Sequence, residues 1–195
     1  GVMIPRPETE LLIDKALHLS REMVDGGGSV IAEPGTGSGV ISIVLAAHLP
    51  TARIFATDIS PEALRVARMN VNKFKVGDRV TLLVGDLLEP VPEPPGMIVA
   101  NLPYIPSDRI HTLQPEVQLE PKEALDGGGD GLDVIKCLLQ QAQSKLRLGG
   151  VMLLEIDCTQ GKALQDIAQE MFPGAESRVE KDLAGLDRIF CLRIP

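Results

Sequence analysis

The sequence is poor in aromatic residues and in cysteine. Among 195 residues there is no tryptophan, one tyrosine and four phenylalanines. So few planar side chains offer little surface for stacking unpaired nucleic-acid bases. The three cysteines, Cys137, Cys158 and Cys191, form no Cys-x-x-Cys pair. An odd, scattered set of thiols argues against a disulfide framework, and we expect small buried apolar side chains in a reducing, cytoplasmic setting.

Clustered metal ligands, long apolar runs and excess positive charge are also lacking. His18, His48 and His111 are scattered, so no metal site is predicted. No apolar run approaches the ~18 residues that cross a bilayer, and no signal peptide is visible. Acidic residues outnumber basic ones by 27 to 19, which gives a net charge of −8. We therefore expect no membrane and no direct nucleic-acid partner.

What remains is the composition of one soluble globular domain. Hydrophobic residues make up 44% of the sequence and charged residues 24%, and the length allows a substantial core. A motif begins almost directly after Gly1. We interpret this as the cut end of a longer protein whose upstream domain is absent.

Segment 30–45 carries the strongest local signal, because a strand, a glycine-rich turn and a helix start follow one another. Its glycines read G-x-G-x-G, whereas dinucleotide sites usually read G-x-G-x-x-G and P-loops contain Gly-Lys-Ser/Thr. Glu33 before the turn suits a cationic amine better than a pyrophosphate. These features indicate S-adenosylmethionine, although tight packing alone would also favour such glycines. The predicted contacts are Glu33, Gly35, Thr36, Gly37, Ser38 and Gly39.

Two further acids follow predicted strands. Asp58 comes after strand 53–57 and nineteen positions after Gly39, near the ~20-residue offset at which an acid meets a ribose hydroxyl. It would otherwise be only a cap or turn residue. Asp86 follows strand 80–84, at the same sheet edge, and its carboxylate suits an adenine amino group. The remaining predicted cofactor contacts are Ile59, Leu87 and Asn101.

The fourth predicted strand, 97–100, runs directly into Asn101, Leu102, Pro103 and Tyr104. An amide or aromatic amine nitrogen is a poor nucleophile, so catalysis would be mainly positioning of its NH₂ group by Asn101 and a neighbouring carbonyl. Pro103 holds Leu102 extended and aims that carbonyl. Tyr104 suits the wall against a planar substrate group and a sulfonium. These four residues form the predicted catalytic group, although a turn with an aromatic plug is the simpler alternative.

Together these segments resemble the HemK-type protein-(glutamine-N5) methyltransferases, which modify peptide chain release factors. The likeness spans nearly the whole chain, and the tetrapeptide stands where the family has Asn-Pro-Pro-Tyr. The opening signature and the Leu-Asp-Gly-Gly loop are not general methyltransferase features, which makes the match specific. The matching segments are 4–10, 35–39, Asp58, 101–104, 113–117, 124–128, 130–132, 154–156 and 182–185.

The resemblance implies an α/β fold: a Rossmann-like class I S-adenosylmethionine-dependent methyltransferase with a mostly parallel seven-stranded sheet, helices on both faces and a final antiparallel hairpin. It implies one catalytic domain over residues 1–195, without the family's N-terminal helical domain. The implied reaction methylates the glutamine of the Gly-Gly-Gln loop in a class I release factor, by a cytoplasmic enzyme that we expect to be a monomer. Arg6 and Glu8 are weaker candidates for the substrate rim, or a solvated pair at a helix start.

Several positions depart from the family pattern. Pro34 replaces an aliphatic residue, Leu102 replaces proline, Asp157 stands where glycine is usual and Leu186 where arginine is usual. These changes leave open a catalytically weakened S-adenosylmethionine-binding module. A nucleic-acid adenine-N6 methyltransferase is a further alternative, because a flipped adenine amine suits the same tetrapeptide. A Rossmann dehydrogenase fits the glycine spacing least.

Overall fold

The computed structural model describes residues 7–23 and 30–195. Its described strands are β1 (Val30–Pro34), β2 (Arg53–Asp58), β3 (Val80–Val84), β4 (Met97–Ala100), β5 (Val151–Glu155), β6 (Glu176–Lys181) and β7 (Asp187–Arg193). They form one sheet of seven strands in the order β3-β2-β1-β4-β5-β7-β6. The first five strands in this order run parallel to one another, and β7 is antiparallel to both β5 and β6. The predicted fold class is confirmed, including the final hairpin.

Helices cover both faces of this sheet. They are α1 (Pro7–Glu22), α2 (Val40–His48), α3 (Pro61–Phe74), the short α4 (Pro115–Gln118), α5 (Asp133–Lys145) and α6 (Gly161–Met171), with 3-10 turns at Ser107–Thr112 and Lys122–Ala124. Alternate strand residues point to opposite faces. Ile31 therefore packs with α1 and α2, whereas its neighbour Ala32 packs with α5 and α6. None of the described helices is long and apolar enough to cross a membrane.

The strand order creates a crevice beside β1. From β1 the chain proceeds outward through β2 to β3 and then returns to β4 on the other side of β1. The segments that follow β1 and β4 therefore diverge at the carboxyl ends of these strands, which is where open α/β sheets bind ligands. Both strands are buried along nearly their whole length, so the backbone around the crevice is firmly held.

Helix α1 begins at Pro7, and Thr9 is a buried residue of its first turn. Proline is tolerated at a helix start, because the first helical N–H groups have no partner within the helix. The apolar side of α1 is formed by residues at helical spacing, and Leu12, Ile13, Ala16 and Leu17 are buried. The candidate Arg6 lies outside the described residues.

The cysteines are less uniform than predicted. Cys191 on β7 is buried, whereas Cys137 and Cys158 are exposed. The interpretation as buried apolar residues therefore holds only for Cys191. Within residues 7–23 and 30–195, no three acidic, histidine or cysteine side chains are grouped so as to hold a metal ion.

Candidate active site

A cavity of about 440 Å³ opens at the carboxyl ends of β1 to β4. Its size is within the range of roughly 300–1,000 Å³ that is common for small-molecule sites. We refer to it as the first cavity. Nearly all of the predicted cofactor contacts line it: Glu33, Gly35, Thr36, Gly37, Ser38, Asp58, Ile59, Asp86, Leu87 and Asn101.

Gly39 is the predicted contact that does not line the cavity. It stands at the start of α2 with φ +82°, and a Cβ there would lie 3.3 Å from Cβ of Ala67 on α3. The geometry therefore gives Gly39 a role in packing α2 against α3.

The loop between β1 and α2 is held by hydrogen bonds to β2. The backbone N–H of Thr36 donates to the carbonyl of Thr57 at 2.9 Å. Asp58 accepts from the N–H of Gly37 with one oxygen and from the N–H of Ser60 with the other, both at 2.9 Å. Each carboxylate oxygen keeps lone-pair capacity for a further donor. Asp58 thus orders the loop while facing the first cavity.

Hydrogen bonds to Glu33 connect the same loop to α2. Only 1% of it is exposed, and its Oε2 accepts from the Thr36 hydroxyl at 2.8 Å, from the Ser42 N–H at 2.9 Å and from the Ser42 hydroxyl. Burial raises the pKa of Glu33 to about 7 against the effect of these hydrogen bonds. A cation that enters the first cavity would favour the ionised carboxylate.

The segment that follows β3 contains a residue in an unusual backbone conformation. Leu87 is buried and has φ +45°, which is rare for a residue with a large side chain. Its carbonyl accepts from the Thr57 hydroxyl at 2.6 Å. This contact holds the Asp86–Leu87 backbone against the end of β2, so that both residues line the first cavity.

The tetrapeptide after β4 is anchored to a buried carboxylate. Nδ2 of Asn101 donates to Oε2 of Glu155 at 2.9 Å and to Oγ1 of Thr9 at 3.1 Å. The Tyr104 hydroxyl donates to Oε1 of Glu155 at 3.0 Å. Sequence reasoning missed the roles of both Glu155 and Thr9. Glu155 ends a strand beside β4, and the rule that selected Asp58 and Asp86 would have found it.

A second residue without a predicted role, Gln160, supports the tetrapeptide backbone. Its Nε2 donates to the carbonyls of Tyr104, at 2.9 Å, and Gly131, at 3.2 Å. Its Oε1 accepts from the N–H of Asp157 at 2.9 Å. Gln160 is almost fully buried, so it fixes the direction of the chain that leaves the site.

The glycine-rich loop 126–131 lines neither cavity. The loop packs behind the tetrapeptide: Gly127 donates to the carbonyl of Ile105 at 2.9 Å. A Cβ at Gly127 would lie 2.8 Å from the carbonyl oxygen of Pro103. The glycine there permits close backbone packing.

A second cavity, of about 390 Å³, adjoins the first. Asn101, Leu102 and Ala124 line both cavities, whereas Tyr104 lines only the second and Pro103 only the first. The rest of the second cavity's wall is Ile105, Thr112, Leu113, Gln114, Val117 and Leu125. The two cavities therefore meet at Asn101 and Leu102. Glu8, a weaker rim candidate, lies in the first turn of α1 and lines neither.

The departures from the family pattern lie in different surroundings. Pro34 and Leu102 are buried next to the first cavity. Burial opposes ionisation of Asp157, but hydrogen bonds from Thr159 hold the pKa of that carboxyl below its usual range. Leu186 is 47% exposed in the β6–β7 turn, away from both cavities.

Comparison with known proteins finds relatives that are all named as methyltransferases. Residues 14–124 match the family model for ribosomal protein L11 methyltransferase (PrmA). The release factor glutamine methyltransferase of Moorella thermoacetica is 46% identical over 195 residues, covering 97% of this chain and 66% of the relative. That of Thermosynechococcus vestitus is 44% identical over 201 residues, covering 100% and 68%. The chain thus spans about two thirds of the length of these curated relatives.

Solved structures show the same fold at lower identity. Ribosomal protein L11 methylase of Lactobacillus delbrueckii subsp. bulgaricus superimposes with a TM-score of 0.68 at 22% identity, covering 100% of this chain and 83% of that one. A methyltransferase from Streptococcus mutans in complex with SAH gives a TM-score of 0.60 at 19% identity, covering 98% and 99%.

Proposed function

Since this chain belongs to the release factor glutamine methyltransferase family, as its motifs predict, we propose that it transfers a methyl group from S-adenosylmethionine to a glutamine side-chain amide. The acceptor would be the Gly-Gly-Gln glutamine of a class I peptide chain release factor. The observation that carries the proposal is the position of Asn101, an acceptor for an NH₂ group at the junction of two cavities. The proposal includes a monomeric cytoplasmic enzyme that uses no metal and binds neither membrane nor nucleic acid.

The first cavity has the chemistry that S-adenosylmethionine requires. Gly35 and Gly37 have positive φ and allow a ligand to approach the backbone. Asp58 suits the ribose hydroxyls, Asp86 the adenine amino group and ionised Glu33 the amine. When bound, the cofactor supplies an electrophilic methyl group on a sulfonium.

The second cavity would receive the glutamine side chain. Oδ1 of Asn101 and the carbonyl of Leu102 would accept from its NH₂ group, and Tyr104 would form one wall. Holding both hydrogens orients the nitrogen toward the first cavity, which lowers the entropic part of the barrier. The nitrogen loses one proton only after it gains the methyl group, so a strong base is not required.

The adenine-N6 alternative has less support. Relatives that cover nearly the whole chain at up to 46% identity are named for glutamine, and the net charge of −8 is unfavourable next to phosphates. A weakened binding module is opposed by the intact hydrogen bonding of Asn101 and Tyr104.

The test is methylation of a class I release factor with labelled S-adenosylmethionine, followed by peptide mass mapping. We expect label on the Gly-Gly-Gln glutamine, much slower labelling with an Asn101→Ala enzyme and no label on a Gly-Gly-Ala factor. Calorimetry measures cofactor binding separately. Cofactor binding without label, in a preparation where the Bacillus subtilis relative labels the same factor, would contradict the proposal for this chain.

A further inference from the structure

One buried carboxylate gathers donors from three separate segments. Glu155 is the last residue of β5, and the parallel register that pairs Ala100 with Leu154 places it beside Asn101. It accepts from Thr9 on α1 at 2.9 Å, from Asn101 at 2.9 Å and from Tyr104 at 3.0 Å. With 1% of its surface exposed, it cannot reach the substrate itself.

These contacts determine which way the Asn101 amide points. The oxygen and nitrogen sides of an amide have nearly the same shape, so hydrogen bonding alone distinguishes them. An ionised carboxylate only accepts, and the Thr9 hydroxyl gives its proton to Glu155. Both groups therefore require Nδ2 of Asn101 on their side. Turning the amide by 180° would put Oδ1 against Oε2 of Glu155, acceptor against acceptor.

The opposite side of the amide is the one that the reaction needs. No described residue donates to Oδ1 of Asn101, and Asn101 lines both cavities. A glutamine NH₂ requires an acceptor there. A turned amide would present its own NH₂ group, donor against donor, and the nitrogen would lose its alignment with the methyl group.

We propose that Glu155 is a positioning residue for methyl transfer, which, with Thr9, fixes the orientation of the Asn101 amide and the place of the Tyr104 ring. This inference rests on the function proposed above. Glu155 acts through Asn101 and has no contact with either reactant.

The charge state of Glu155 makes the effect sensitive to pH. Burial raises the pKa of Glu155, and the hydrogen bonds from Thr9 and Tyr104 oppose that rise. Arg188 of β7 also favours the ionised form, whereas Glu8 of α1 disfavours it. A protonated carboxyl can donate and would tolerate the turned amide. Turnover should therefore fall as the pH drops through the raised pKa.

The first experiment compares Glu155→Gln with the unmodified chain, using label on the release-factor glutamine as the assay. We expect kcat to fall by roughly 100-fold, the scale of a displacement of about 1 Å. The Kd of S-adenosylmethionine should stay within about twofold, and the acid-side fall in kcat should disappear. In an Asn101→Ala background, Glu155→Gln should cause no further loss, because the two residues act as one unit.

Glu180→Gln is the matched control. It makes the same charge change on β6, where Glu180 pairs with Lys15 of α1 at 2.7 Å, and it should leave kcat unchanged. A second pair of variants decides the matter if Glu155→Gln does not fold. Thr9→Ser keeps the hydroxyl and should stay within a few-fold of the unmodified kcat, whereas Thr9→Val should lose at least tenfold.

The outcomes separate the two proposals. If the unmodified chain labels no glutamine, the proposed function fails. If it does label glutamine, but folded Glu155→Gln keeps its kcat or multiplies the loss caused by Asn101→Ala, only the positioning role fails. Equal kcat values for Thr9→Ser and Thr9→Val would also overturn it.

Discussion

Gly35 and Leu102, which follow β1 and β4, are in direct contact across the crevice. A Cβ at position 35 would lie 2.7 Å from Cδ2 of Leu102, and Gly35 has φ +70°. Gly37, two residues later, also has a positive φ of +56°, but a Cβ there would meet no atom within 4 Å. Gly37 is thus limited by backbone conformation alone, whereas Gly35 is limited also by packing.

This difference predicts unequal effects of two alanine substitutions. Gly37→Ala should cost about 1–2 kcal/mol of unfolding free energy, from left-handed strain. Gly35→Ala should cost about 1–3 kcal/mol more, because Leu102 is overpacked, and should weaken cofactor binding. Urea denaturation and calorimetry measure both. Leu102→Ala should relieve Gly35→Ala but leave Gly37→Ala unchanged, and equal costs without such relief would refute the packing argument.

Asp58→Asn should weaken binding of the cofactor rather than slow the chemical step. The asparagine keeps one oxygen as an acceptor, so either the Gly37 or the Ser60 N–H loses its partner, and the remaining bond loses the charge that strengthens it. A hydrogen bond to a charged group is worth about 1.5–3 kcal/mol, so the Kd of S-adenosylmethionine should rise by roughly 10- to 100-fold. We expect kcat at saturating cofactor to change little. An unchanged Kd with a reduced kcat would show that Asp58 has a different role.

Glu33 should give the unfolding free energy a distinctive pH dependence. Its pKa rises from 4.5 to about 7 in the folded state, so between these values the native chain holds a proton that the unfolded chain has released. Its contribution to the unfolding free energy therefore falls as the pH rises through this interval, by about 3 kcal/mol in total. Denaturation at several pH values should show this fall for the unmodified chain relative to Glu33→Gln. Parallel curves for the two would contradict the prediction.

Gln160→Leu should reduce both stability and turnover. It removes three hydrogen bonds of a buried side chain. The carbonyls of Tyr104 and Gly131 lose their donor, and the N–H of Asp157 loses its acceptor. Unsatisfied buried groups cost about 1–3 kcal/mol each, and the tetrapeptide loses its rear support. Thermal denaturation and kcat are the measurements. Gln165→Leu on α6, the helix that begins directly after Gln160, removes one long contact to Ser177 and should affect both much less.

Local patterns were sufficient for most of the fold. Strands β3 and β4 have the bounds that the sequence predicts, because apolar runs, glycines and prolines mark their ends. Ser60 caps α3, since its hydroxyl accepts from the N–H of Ala63, and serine before proline is a local signal for such a helix start. The family predicted from the motifs is the one to which the curated relatives belong.

Patterns were insufficient where one polar side chain meets a distant segment. Thr9 and Glu155 are 146 positions apart, and neither belongs to a repeating pattern that would pair them. Gln160 presents the same difficulty, because its partners come from two loops and its own turn. The position of loop 126–131 is equally hard to predict, because its glycines indicate flexibility as readily as close packing.

By itself, the sequence determined the order of strands and helices, the glycine loop and the acids that follow the strands. These depend on residues that are close together in the chain. Only the tertiary structure decided which acid accepts a hydrogen bond from Asn101 and where the two cavities meet. Those relations depend on strand order and register, which place Glu155 beside Asn101, and on the packing of α1, which brings Thr9 to them. A buried carboxylate needs such donors because it has no water to replace them.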